Sequence, residues 1–169
     1  MRHVILMRHA EAAWPQGGED IKRPLASGGR KEAKAIGLYM QRQEISADFA
    51  LVSSALRTCE TWEIISPYMG SPHWQLEPQL YSASSSGMME LIRALPDALE
   101  KVIVLGHNPV IHMFALKLLK GAGQQDMNGM NKGFPTAAFA SVQFDSLSWQ
   151  ELTWNSGYLE CFIKPDDIL

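Results

Sequence analysis

The chain has 169 residues, a hydrophobic content ordinary for a globular protein at 46%, and a formal charge of −3, so one core can serve its length and a single domain over 1–169 is expected. That charge gives no support for a broad nucleic-acid surface, and two cysteines, Cys59 and Cys161, make neither a disulfide framework nor a zinc motif. No segment approaches the ~20 apolar residues of a membrane span, and the N-terminus lacks the apolar stretch of a signal peptide; a cytoplasmic protein with no nucleic-acid and no membrane partner is the expectation.

A short, unbroken apolar run over 4–7 reads as a strand of about 3–7 buried on both faces, and it runs into Arg8 and His9. Residues 12–18 break regular structure with Pro15, Gly17 and Gly18. After Arg23, Pro24 and Leu25 a turn at 27–29 offers Ser27 as a helix cap. Residues 30–43 are helical, with Ala33, Ile36, Gly37 and Met40 on one face. A second strand at 49–52 leads into Ser53 or Ser54 as the cap of a second helix, stopped near Ser66 by Pro67.

Residues 74–80 read as a short strand, placed at an edge by Pro78, and 81–87 as a loop. Met88, Leu91, Ile92 and Leu95 trace a further helical stripe ahead of Pro96. Residues 102–105 are the clearest buried strand, followed by Gly106, His107 and a helix capped by Asn108 with Pro109 at its first position. The stretch 121–133, rich in glycine, glutamine and asparagine, reads either as a mobile cover or as disorder. Residues 137–144 and 149–154 are expected to pair as a C-terminal antiparallel hairpin, with a polar tail after Ile163. The alternation predicts a three-layer α/β/α fold, with a mostly parallel mixed sheet and helices on both faces.

Arg8-His9, Arg57 and His107 each follow a predicted strand at its carboxyl end. In a parallel sheet these ends share the edge where ligands bind. Two of the positions adjoin helix N-termini, which favour anions. An imidazole has a free lone pair near neutral pH, and arginine's planar fork binds phosphoryl oxygens bidentately. The constellation therefore suits phosphoryl transfer through attack by His9. Arg8, Arg57 and His107 would hold the oxygens, with no metal or cofactor required.

Taken together, Arg8-His9-Ala10, Arg23-Pro24-Leu25, the segment from Ser53 to Thr61 with Arg57 within it, and Gly106-His107-Asn108-Pro109 resemble the histidine phosphatase (phosphoglycerate mutase-like) superfamily, and most closely its SixA-type phosphohistidine phosphatase branch. The resemblance implies a phosphoglycerate mutase-like fold and a four-residue core of Arg8, His9, Arg57 and His107, with His9 phosphorylated. It also implies that Arg23 lies near the pocket as a substrate-binding residue.

Two departures stand out. Ala10 replaces the glycine usual after Arg-His. The segment 80–87, where many members carry an acidic proton donor, has no carboxylate. A phosphoester leaving as an alkoxide needs such a donor, whereas a phosphoramidate nitrogen can be protonated before it leaves. Glu11, two residues from His9, is the nearby carboxylate that can serve at the substrate, its alternative being a solvated loop position. The expected activity is therefore metal-independent hydrolysis of phosphohistidine in a signalling or phosphotransfer protein domain. The competing readings are a small-molecule phosphomonoesterase of the same fold and a non-catalytic phospho-binding module. The oligomeric state is not read from the sequence.

Overall fold

The structure is a computed structural model that describes residues 1–121 and 129–169; residues 122–128 of the stretch 121–133 lie outside the described residues. The described residues form a six-stranded sheet. Its strands are β1 (Arg2–Arg8), β2 (Phe49–Val52), β3 (His73–Leu76), β4 (Lys101–Gly106), β5 (Phe139–Phe144) and β6 (Tyr158–Ile163), in the order β3-β2-β4-β1-β5-β6. The first four strands in that order pair in parallel, and β5 is antiparallel to both β1 and β6. The α-helices that flank the sheet are α1 (Ser27–Arg42), α2 (Leu56–Ile65), α3 (Ser85–Arg93) and α4 (Val110–Leu118).

The period-two alternation of β1 divides the core. Val4 and Leu6 join Val102 and Val104 against Met88, Ile92, Ile111, Phe114 and Leu118 of α3 and α4. Ile5 and Met7 join Ile103 and Leu105 against Ala33, Ile36, Met40, Trp62 and Ile65 of α1 and α2. Each face of the sheet is thus covered by one pair of helices, the three-layer arrangement expected of a run of strand–helix units.

Register then fixes the site. Arg8 pairs with Gly106 and Val52 with Leu105, so Ser53, His107 and His9 emerge side by side from β2, β4 and β1. The backbone closes this edge, with Ser53 N–H donating to the Leu105 carbonyl at 3.1 Å and His9 N–H to the Gly106 carbonyl at 3.2 Å.

Several local expectations are corrected. The antiparallel partner of β5 is Tyr158–Ile163, not 149–154. Trp149 instead starts a short 3-10 turn and is fully buried, its indole N–H donating to the Leu99 carbonyl at 2.8 Å. Ser27 and Ser53 do not cap helices by their side chains; Ala26 and Ala55 hold those positions. Asn108 gives way to Pro109 at the cap of α4 because its amide is drawn to the Phe134 carbonyl, 2.9 Å away. β3 is the edge strand that Pro78 suggested, but it ends at Leu76, and Pro78 opens a 3-10 turn to Tyr81. No helix among the described residues is long and apolar enough to cross a membrane.

Candidate active site

His9 and His107 face each other with ring centroids 5.2 Å apart. His9 is buried, and its Nδ1 lies 2.7 Å from the Ala10 carbonyl oxygen. A carbonyl can only accept, so the proton sits on Nδ1 and the lone pair on Nε2. Burial is the largest cause that drives the His9 pKa down to about 3, with His107, Arg57 and Arg8 adding to it against the Ala10 bond. The ring is therefore neutral at physiological pH. Ala10 itself is buried, and its N–H donates to the Thr61 hydroxyl at 3.0 Å. Thr61 in turn donates to the Arg57 carbonyl at 2.7 Å, tying the β1 end to the first turns of α2.

His107 is likewise pushed down, to about 4, first by burial and then by the charge of Arg57; Asp20 opposes the shift. Its Nε2 meets the Ser53 hydroxyl at 2.7 Å, and its Nδ1 is buried without a hydrogen-bond partner among the described residues.

Arg8 donates from Nη1 to the Phe134 carbonyl at 3.0 Å, while its Nε is buried without a partner among the described residues. Burial, with the charge of Arg57 adding, pushes its pKa down against the opposing charge of Glu32. Arg57, buried on the first turn of α2, reaches back to the 3-10 turn at Asp20–Lys22. Its Nη1 donates to the Asp20 backbone carbonyl at 2.9 Å and its Nη2 to Asp20 Oδ2 at 3.0 Å. A guanidinium carries five N–H donors, and these bonds use two of them.

The structure thus brings Arg8, His9, Arg57 and His107 to one rim. Arg23 joins them indirectly. Its Nε and Nη2 hold the Ala13 carbonyl at 3.0 and 2.9 Å, and its Nη1 donates to Asp20 Oδ1 at 3.2 Å.

Glu11 does not join them. Its carbonyl accepts from Ala26 N–H at 2.9 Å, and its carboxylate lies over the first turn of α1, 2.8 Å from where a Cβ on Gly28 would stand. No hydrogen bond or ion pair links that carboxylate to Arg8, His9, Arg57 or His107 among the described residues. The backbone of 11–13 is locked against 24–26 by the Ala12–Leu25 bridge, and this turns the side chain toward the helix. Glu77, the carboxylate just ahead of 80–87, is also spent elsewhere, accepting Gln79 N–H at 3.1 Å at the start of its turn.

Sequence reasoning missed three participants. Ser53 looked like a helix cap, Tyr81 like a loop residue, and Asp20 was not singled out. Asp20 accepts from Tyr81 Oη at 2.7 Å as well as from Arg57 and Arg23. The Tyr81 ring stands edge-on to His107 at 5.6 Å. Tyr81 first, with Arg23 and Arg57, holds the Asp20 carboxyl well below the usual carboxylate range. A carboxylate three residues ahead of Arg23 was the available signal.

Two guanidiniums, a neutral imidazole with an outward lone pair and the N-termini of α2 and α4 form a site that attracts a tetrahedral anion and can attack it. The comparisons agree with this chemistry. Residues 4–84 match the histidine phosphatase superfamily (branch 1). An uncharacterised protein of Mycobacterium tuberculosis is 30% identical over 139 residues, which span 81% of this chain and 86% of the relative. The chain belongs to the histidine phosphatase superfamily, and it is a phosphatase.

Within the family it is similar to the phosphohistidine phosphatase SixA of Escherichia coli, 25% identical over 154 residues that span 89% of this chain and 91% of that one. A solved structure of the protein histidine phosphatase SixA complexed with tungstate shares its fold, with a TM-score of 0.76 and 24% identity over 99% of each chain.

Proposed function

We propose that this phosphatase removes the phosphoryl group from phosphohistidine in a signalling or phosphotransfer protein, through a covalent phosphoenzyme on His9. The observation that carries the reading is the bond from His9 Nδ1 to the Ala10 carbonyl. It leaves Nε2 unprotonated at the rim, beside Arg57 and His107.

In the first half-reaction Nε2 forms a bond to phosphorus, and the bond to the leaving nitrogen breaks with its electron pair remaining on that nitrogen. The phosphorylated His9 ring is then cationic, its remaining proton on Nδ1 held by Ala10. In the second half-reaction water attacks phosphorus, the N–P pair returns to Nε2, and the water proton leaves with inorganic phosphate. Arg8, Arg57 and His107 hold the phosphoryl oxygens, the kind of fixed electrostatic contact that dominates phosphoryl transfer. No carboxylic acid stands ready to protonate an alkoxide among the described residues, since Glu11 and Glu77 are engaged elsewhere and Asp20 is held ionised by Tyr81, Arg23 and Arg57. This favours a nitrogen leaving group. The likeness to the E. coli phosphohistidine phosphatase supports the same choice.

Rapid quenching with a 32P-labelled phosphohistidine substrate tests the proposal. Acid-labile, base-stable label is expected on His9, and turnover without any labelled protein overturns the reading. His9→Ala should lose at least about a thousandfold in kcat, the scale seen when the nucleophile of a catalytic unit is removed, with its melting temperature retained.

A further inference from the structure

Asp20 raises a question that phosphate binding alone does not answer. An anion fixed beside the arginines of a phosphatase repels the incoming phosphoryl group unless something in the substrate compensates. Its carboxylate is half-exposed, with 51% of the side chain open to solvent, yet it is held from three sides by Tyr81, Arg57 and Arg23. Oδ2 takes two of those bonds and Oδ1 one, so of about four lone-pair sites one on Oδ1 is left. Tyr81 places the group at the mouth of the site, because the same ring that donates to Asp20 packs edge-on against His107. Held ionised by its three donors, Asp20 is a poor proton donor and a good acceptor.

An imidazole phosphorylated on one nitrogen offers what such an acceptor needs. Its other nitrogen can carry a proton, and the ring is then cationic. We infer that Asp20 accepts the N–H of the distal ring nitrogen of a phosphohistidine substrate, and so selects for a cationic imidazole as leaving group. This rests on the reading given under Proposed function and names the residue that sets its substrate class.

The step balances without a general acid. Nε2 of His9 bonds to phosphorus, the substrate N–P bond breaks, and its pair neutralises the substrate ring. That ring departs as neutral imidazole, its distal N–H still on Asp20. Asp20 then does for the substrate ring what the Ala10 carbonyl does for His9: each keeps a proton on the nitrogen remote from phosphorus. A phosphoryl group passing between two imidazoles so matched moves between similar donors. An alkyl phosphate gains nothing from the carboxylate and meets its repulsion.

The test measures kcat/KM for phosphoimidazole and for p-nitrophenyl phosphate on the same preparations of the wild type, Asp20→Asn and Asp20→Ala. A ratio taken on one preparation does not depend on how much of it is folded. The phosphoimidazole to p-nitrophenyl phosphate ratio should fall about tenfold or more in both variants, the scale of one charge-assisted hydrogen bond. A ratio that holds within about threefold, whatever the absolute rates, overturns the role and shows Asp20 to be a brace for Arg57. A wild type that hydrolyses p-nitrophenyl phosphate but never phosphoimidazole overturns the phosphohistidine reading itself, and this inference with it.

Discussion

The Ser53 hydroxyl stands 2.7 Å from Nε2 of His107, joining the end of β2 to the end of β4. Ser53 is fully buried, and its oxygen also lies 3.5 Å from Ala55 N–H. Through this contact the hydroxyl fixes the orientation of the His107 ring. The other ring nitrogen, Nδ1, is buried with no partner among the described residues. Ser53→Ala should therefore lower kcat by about ten- to a hundredfold, matching the roughly 1–3 kcal/mol of a buried polar group left unpaired, while Ser53→Thr recovers most of it. Nitrogen NMR of the His107 ring is the second readout: the alanine variant should show mixed tautomers where the wild type shows one.

The low values at His9 and His107, about 3 and about 4, predict the response to acid. Protonated His9 has no lone pair, so kcat/KM for p-nitrophenyl phosphate should hold as pH falls through 6 and 5 and drop only as it approaches 4 and below. Stability behaves differently. Between the ordinary histidine value of about 6.5 and these depressed values, the unfolded chain binds protons that the folded one does not. Stability therefore falls as pH drops through that window and levels off beneath it. Phosphate in the site favours the protonated rings and should offset part of the loss. Melting temperatures across pH 3–7, with and without phosphate, check both statements. A flat profile in the two conditions would contradict them.

Gly29 is required by a close approach. A Cβ there would lie 2.0 Å from the Glu11 carbonyl oxygen, a backbone atom that cannot step aside. Gly29→Ala should push α1 away from the segment that carries Ala10 and cost about 1–3 kcal/mol, the usual range for forced overpacking. Denaturant unfolding would measure the loss. An alanine variant as stable as the wild type would mean that the two backbones separate freely.

How much of this was legible in the sequence follows from what local pattern can report. The apolar runs of β1, β2 and β4 announced themselves because each strand is buried on both faces, and burial on both faces removes polar residues from the run. β6 did not, because at the sheet edge only Phe162 of its six residues is buried, and a half-exposed strand carries a weak alternation. The stretch 149–154 drew the reading with two tryptophans and a leucine, but Trp149 went into the core as part of a turn.

The sequence by itself determined which arginines and histidines stand at the candidate site. Arginine and histidine at strand ends have few structural reasons to be there, and a parallel sheet collects its strand ends on one edge. Only the tertiary structure decided how those residues are held and charged. Ser53 turns to His107 because β2 and β4 are neighbours in register, Glu11 turns away because α1 presses on its backbone, and Asp20 enters the site because Arg57 reaches 37 positions back along the chain to meet it. Periodicity records which side of an element is buried. The partner of a polar side chain depends on distances between segments far apart in sequence, and packing alone sets those.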